Sequence, residues 1–160
     1  MTLLDLEDAL LARLKEELPG YEVKSYPDNP SDYVLTHPRG AVLVRFAGGK
    51  YGPTEDIGAM VQPRRTDWEI TVVARHLRAH GGLYVLLDVL RIGLTGYQVP
   101  GCSKAFLLKE DFVSEVNGIW QYAVWLAVPT VNVERAEDED LPVLKRLTLI
   151  DNFGETEEIP

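Results

Sequence analysis

Leu6, Leu10, Leu14 and Leu18 recur every four residues, with Leu3 one turn earlier, while Asp5, Glu7, Asp8, Arg13, Lys15 and Glu16 fall between them. That spacing predicts an amphipathic helix with one apolar stripe. Thr2 is its expected N-cap, acids follow in the first turn, and Pro19-Gly20 ends it. "YEVKSY" (21–26) alternates as a strand does, and "PDNPSD" closes it as a turn. "DYVLTHPRGAVLVRFAGG" reads as two short β-rich runs separated by His37-Pro38-Arg39-Gly40. In the second run Val42, Val44 and Phe46 share a face opposite Leu43 and Arg45. Residues 48 to 63 hold four glycines and are expected to be one long connection.

"RRTDWEITVVARH" is the clearest strand, with Trp68, Ile70, Val72 and Ala74 alternating with Asp67, Glu69, Thr71, Val73 and Arg75. Leu83, Leu87, Leu90 and Leu94 predict a second amphipathic helix, with Gly96 just past its end. "KAFLLKEDFVSEV", then Asn117-Gly118, then "IWQYAVWLAV" predicts a hairpin, because both turn positions tolerate the positive φ of a type I′ turn. Its arms of ten or so residues would run roughly 34 Å. Trp120, Tyr122, Val124, Leu126 and Val128 share one face of the second arm; Ile119, Gln121, Ala123, Trp125 and Ala127 share the other. Both faces are largely apolar, as for a central strand or one that carries an interface. Residues 143 to 150, "VLKRLTLI", are expected to form a last strand. The fold class is therefore α+β: a mostly antiparallel sheet with two amphipathic helices packed on it.

A chain of 160 residues favours one domain, and 46% hydrophobic with 26% charged residues is ordinary for a globular protein. The net charge of −9 is uneven: residues 134 to 160 hold nine acids and three bases, the rest sixteen and thirteen. Residues 1–133 are read as the single α+β domain, and 134–160 as an acidic extension whose end, "NFGETEEIP", frays. That acidity argues against general nucleic-acid binding there. The N-terminus lacks the basic start and apolar run of a signal peptide, no segment approaches a membrane span, and synthesis in the cytoplasm is expected.

Catalytic and metal chemistry find little footing. "FAGGKYG" lacks both the leading spacing of a phosphate loop and the hydroxyl after its lysine, where Tyr51 stands. His76 and His80 have the i, i+4 spacing of metal ligands only if helical, and they lie at a strand end and turn. Asp67 and Glu69, among arginines, read as a salt-bridging face, and the one cysteine, Cys102, has no neighbouring His or acid to complete a nucleophilic set. No catalytic residue, metal ligand or cofactor is expected. Two other features point outward: a basic zone of Arg64, Arg65, Arg75 and Arg78 on an acidic protein, suited to a docking face or a lumen, and the two-sided strand. On that strand Ile119, Gln121 and Trp125 are candidate subunit-interface residues, unless the monomer covers both faces itself.

The order of "LEDALLARL…LPGYEVKSYP", "HPRGAVLVRFAGGKYG", "QPRRTDWEITVVAR", "LYVLLDVLRIGLTGYQVPG" and "NGIWQYAVWLAVPT" resembles the tail-terminator family of Mu-like contractile-tailed phages and prophages, over about residues 3 to 130. The resemblance implies a structural virion protein without cofactor or catalytic residues. It would form a self-assembled, six-fold ring that caps the tail tube and sheath and offers a surface to the neck, with DNA only as passing cargo. It implies a place in the virion tail after assembly in the bacterial host cytoplasm. Two other readings stay open: a head–tail connector or neck completion protein, and a small cytoplasmic enzyme or ligand-binding module using a pocket at Lys50 and Tyr51.

Overall fold

A computed structural model describes residues 1–136 together with the backbone of two short strands at 147–150 and 156–159. The first helix, α1, spans Leu3–Glu17. Its start is a capping box: the Asp5 amide donates to the Thr2 hydroxyl, and the Thr2 amide donates to the Asp5 carboxylate at 2.8 Å. These bonds to its charged form hold the Asp5 carboxyl below the usual carboxylate range. Leu6, Leu10, Leu14 and Leu18 are all buried, as their spacing requires. The second helix, α2, spans Leu83–Leu94 and buries Leu83, Leu86, Leu90 and Leu94. Arg13 ties the helices together by donating to the Gly93 carbonyl at 3.1 Å.

Both helices lie on one face of a six-stranded sheet. Its strands are β1 (Glu22–Ser25), β2 (Gly40–Tyr51), β3 (Glu55–Asp56), β4 (Met60–Ala74), β5 (Phe106–Val116) and β6 (Ile119–Val133). The spatial order is β1-β2-β4-β6-β5, with β3 appended to β4. All pairings are antiparallel except β1 with β2, which is parallel. The architecture is the α+β class that the residue pattern predicts.

Register sets the two faces. Val42, Val44, Trp68, Ile70, Val72, Val124, Leu126 and Val128 meet the leucines of the helices in one core. Trp68 is fully buried; its indole N–H donates to the Thr66 hydroxyl at 3.0 Å, which in turn donates to the Val128 carbonyl at 3.1 Å. No buried donor of that chain is left without a partner, as burial demands. The opposite face is screened differently. Ala41, Thr71, Ala123 and Ala127 are small enough for longer neighbours to cover, and Leu35 packs over Ala41 and Val73.

The turn Asn117-Gly118 has positive φ at both residues, 52° and 77°, as a type I′ hairpin turn needs. Glu115 fastens it by accepting the Gly118 amide at 2.8 Å.

Four expectations need correction. Residues 48 to 63 are not one connection: β2 runs on to Tyr51 and β4 begins at Met60, so only 52–59 link them. A bulge between Phe46 and Gly48 keeps the pairing going, and Gly49 lies so close to β4 that a Cβ there would meet the Arg65 carbonyl oxygen at 2.8 Å. Glycine serves close strand contact here rather than a turn. The run at 33–36 is no strand; a 3₁₀ turn, Pro30–Asp32, leads into an irregular strap, since Pro30 and Pro38 remove ladder donors. β6 continues to Val133, five residues beyond the expected end at Val128. Finally, the expected strand at 143–150 is β7 (Leu147–Ile150), paired antiparallel with β8 (Thr156–Ile159) where a frayed tail was expected. Residues 143–146 lie outside the described residues.

Candidate functional site: a sheet that outruns its helices

Lengths decide what the helices can cover. At 15 and 12 residues, α1 and α2 span roughly 20 Å. β4 and β6, with 15 residues each, span roughly 50 Å. The helices therefore cannot cover the whole sheet. Burial follows: β4 is buried from Thr66 to its last residue, Ala74, on its helix-facing positions, and β6 is most buried from Ala123 to Val128. At the arm end the sheet stands clear of the helices, while at the turn end only the outer strand β5 and the hairpin turn do.

At the turn end, the β5–β6 hairpin carries an aromatic cluster at the edge of the core, with Trp120 and Tyr122 packed against it and Phe112 outside them. Phe112 is 55% exposed, and its ring lies edge-on to Tyr122 at 5.5 Å and to Trp120 at 6.3 Å. Val113 and Val116 are exposed further along β5, Val116 opposite Ile119 on the other face. Trp120 and Trp125 leave β6 on opposite faces, so the two tryptophans of this stretch do different things. Trp125 is half-buried, with the Lys109 ammonium 4.2 Å from its ring centre.

Ile119 and Gln121 share the face of Trp125 but not its surroundings. They border an apolar groove of about 190 Å³ with Tyr33, Val34, Leu35 and Val116, between the strap and the turn. Tyr33 has a buried hydroxyl without a hydrogen-bond partner among the described residues. Burial, and then the charge of Glu22, push its phenol up to about 12.

At the arm end, β2, β4 and β6 project together. Tyr51, Met60, Val131 and Val133 are exposed there, and Ile57 is 82% exposed in the link. Lys50, Tyr51, Arg64, Arg65, Phe106 and Pro129 line an open groove of about 330 Å³. Sequence reading placed candidate surfaces on the hairpin and at Arg64 and Arg65, but it missed the exposed apolar residues of both, since an exposed apolar residue has no local signature.

The four arginines do not gather. Arg64 and Arg65 are adjacent on β4 and leave by opposite faces. Arg64 stacks over Tyr51 at 5.6 Å, and Arg65 pairs with Asp67 at 2.8 and 3.0 Å. Arg75 donates to the Leu35 carbonyl at 3.0 Å, and Arg78 lies over Tyr84 at 5.7 Å. Asp67 and Glu69 do form a salt-bridging face, though the partner of Glu69 is Arg45 across the strand pair. His37 is a turn residue whose Nδ1 accepts the Arg39 amide at 3.1 Å. Among the described residues no group of three or more His, Cys, Asp or Glu side chains is placed to hold a metal ion. No described helix is long and apolar enough to cross a membrane.

These features define a class: an α+β domain whose sheet extends past its helix layer at the arm end and carries an exposed outer hairpin strand towards the other. The sequence places it more narrowly. It matches the Gp37 protein family over residues 10–151, and the chain belongs to that family, a phage-associated one. The match runs past Val133, where the resemblance read from the residues stops. No individually curated protein matches the chain.

Proposed function

We propose that this phage protein is structural: a tail terminator that forms a ring on the end of the tail tube and sheath and joins the tail to the neck. One observation carries the reading, two separate groups of exposed apolar side chains: Phe112, Val113 and Val116 on the outer strand of the hairpin, and Tyr51, Met60, Val131 and Val133 where the sheet overruns its helices at the arm end. Exposed apolar side chains grouped at two separate sites suit contacts with other polypeptides. Membership of a phage family supports a virion role. In this reading the ring is a hexamer of this chain, tube, sheath and neck proteins are its partners, and DNA only passes through. It carries no catalytic centre and no cofactor, and Ile119, Gln121 and Trp125 belong to its subunit contacts.

Electron microscopy of the purified protein, alone and mixed with tail tubes, tests this. Six-fold rings of tube diameter, and tubes closed at one end, are expected. Tubes that stay uncapped in excess protein would sink the proposal.

A further inference from the structure

We propose that copies join head to tail, with the turn-side half of the β5–β6 hairpin of one copy, residues 109–121, docked on the cationic groove at the arm end of the next. The inference rests on the ring reading and names the two surfaces that meet.

The groove has an unbalanced charge. Lys50 and Arg65 are directly opposite each other in the β2–β4 register, an arrangement of like charges that costs free energy in a strand pair. Asp67 neutralises Arg65, but neither Lys50 nor Arg64 has a carboxylate within ion-pair distance among the described residues. Tyr51, Phe106 and Pro129 supply an apolar lining between the cations.

The turn-side half of the hairpin, residues 109 to 121, is the complement. Glu110 and Asp111 stand midway along β6, opposite Val124 and Ala123, and Glu115 stands at the turn, against the single cation Lys109, which pairs with Asp111 at 3.3 Å. Phe112, Val113 and Val116 stand exposed among those acids. Phe112 is braced by Trp120 and Tyr122, and the turn by Glu115, so little ordering is left to do on docking. Opposite sign and matching apolar content make hairpin and groove a pair. They cannot meet within one chain, because both are fixed in one sheet, with Glu110 opposite Val124 and Arg64 opposite Thr130, six residues and roughly 20 Å further along β6. Contact between unlike patches on identical copies is heterologous, which is what closes a ring.

Two full-length variants test the docking: Lys50→Glu with Arg64→Glu in the groove, and Glu110→Lys with Asp111→Lys on the hairpin. Sedimentation and native mass spectrometry are the readouts, with melting curves to show that both variants are folded. Alone, each variant is expected to self-associate at least about tenfold more weakly than wild type, since like charges then face each other. Mixed in equal amounts, they are expected to recover association in complexes holding both proteins one to one. Folded variants that associate as wild type does, or a mixture that fails to recover, overturn the inference. If the groove variant instead keeps its rings and loses affinity for a single-stranded oligonucleotide, the groove belongs to nucleic acid and the inference also falls. Wild-type rings that survive both variants leave the ring reading standing; wild-type protein with no rings, free or on tubes, removes that reading too.

Discussion

Tyr33 shows what a single buried hydroxyl does in this protein. Lys24 lies 4.9 Å from its ring centre, so the aromatic body is well used while the hydroxyl has no described partner. A phenol shielded from water resists losing its proton, and the neighbouring Glu22 adds to that resistance. The unfolded chain ionises a tyrosine near pH 10, and the folded one holds this proton to about 12. Below pH 10 both states keep the proton, and nothing depends on pH. Between about 10 and 12 only the unfolded state releases it, so Tyr33 makes stability fall across that window. Tyr33→Phe removes the hydroxyl without leaving a partner unsatisfied. Urea melts at neutral pH are expected to show the variant as stable as wild type, or up to about 1 kcal/mol more stable. Its stability is expected to fall less steeply above pH 10, and the latest step in the ultraviolet titration of the seven tyrosines to disappear. A loss of about 2 kcal/mol or more at neutral pH would mean that the hydroxyl has a partner after all.

Among the elements, the β2–β4 arm is where local rules and the fold disagree. Gly49 meets Arg65 and Thr66 across the pair, with room for a hydrogen but not for a methyl group. Gly49→Ala must push β2 from β4 and is expected to cost about 1–3 kcal/mol. Hydrogen exchange should speed up at the amides of 48–51 and 63–66, while those of Ile70 and Val72 stay protected. Unchanged protection along the arm would show that the close approach is not real. The same contact explains why the arm was hidden in the sequence. Gly48 and Gly49 read as turn residues because the sequence shows their freedom but not the strand that crowds them. The helices were legible for the opposite reason: the stripe from Leu6 to Leu18 is a local period, and one face of leucines has one use. The Asn117-Gly118 turn was legible because its two positive φ values are a local demand. The parallel β1–β2 pair was not, since the alternation of "YEVKSY" is the same whichever way its partner runs. At the candidate site, alternation placed Trp120 and Trp125 on opposite faces. It did not separate Trp125, under Lys109, from Ile119 and Gln121 beside the strap, because Lys109 comes opposite Trp125 only through a register shift in the hairpin and Leu35 comes from a distant part of the chain.

For the whole molecule, charge acts at two ranges that oppose each other. Each copy carries a net charge of −9, so approaching copies repel at long distance. In the proposed ring, six copies of a 17.9 kDa chain, roughly 110 kDa together, would concentrate that repulsion. The proposed contact depends instead on close pairs between Lys50 or Arg64 and Glu110 or Asp111, a few ångströms apart once docked. The Debye length is about 30 Å at 0.01 M salt, 8 Å at 0.15 M and 3 Å at 1 M. Raising salt from 0.01 to 0.15 M therefore removes most of the long-range repulsion and leaves the docked pairs largely intact. Going on to 1 M weakens the pairs themselves, while the apolar contact of Phe112 with Phe106 and Pro129 persists. Self-association followed by sedimentation should rise, pass through a maximum between about 0.1 and 0.5 M, and then decline without vanishing. The hairpin variant should lose the declining limb, because no attractive pairs remain to be screened. A wild-type curve that falls steadily from the lowest salt would mean that attraction between opposite charges dominates at every range, which a chain of this net charge does not permit unless its acids lie far from the joint.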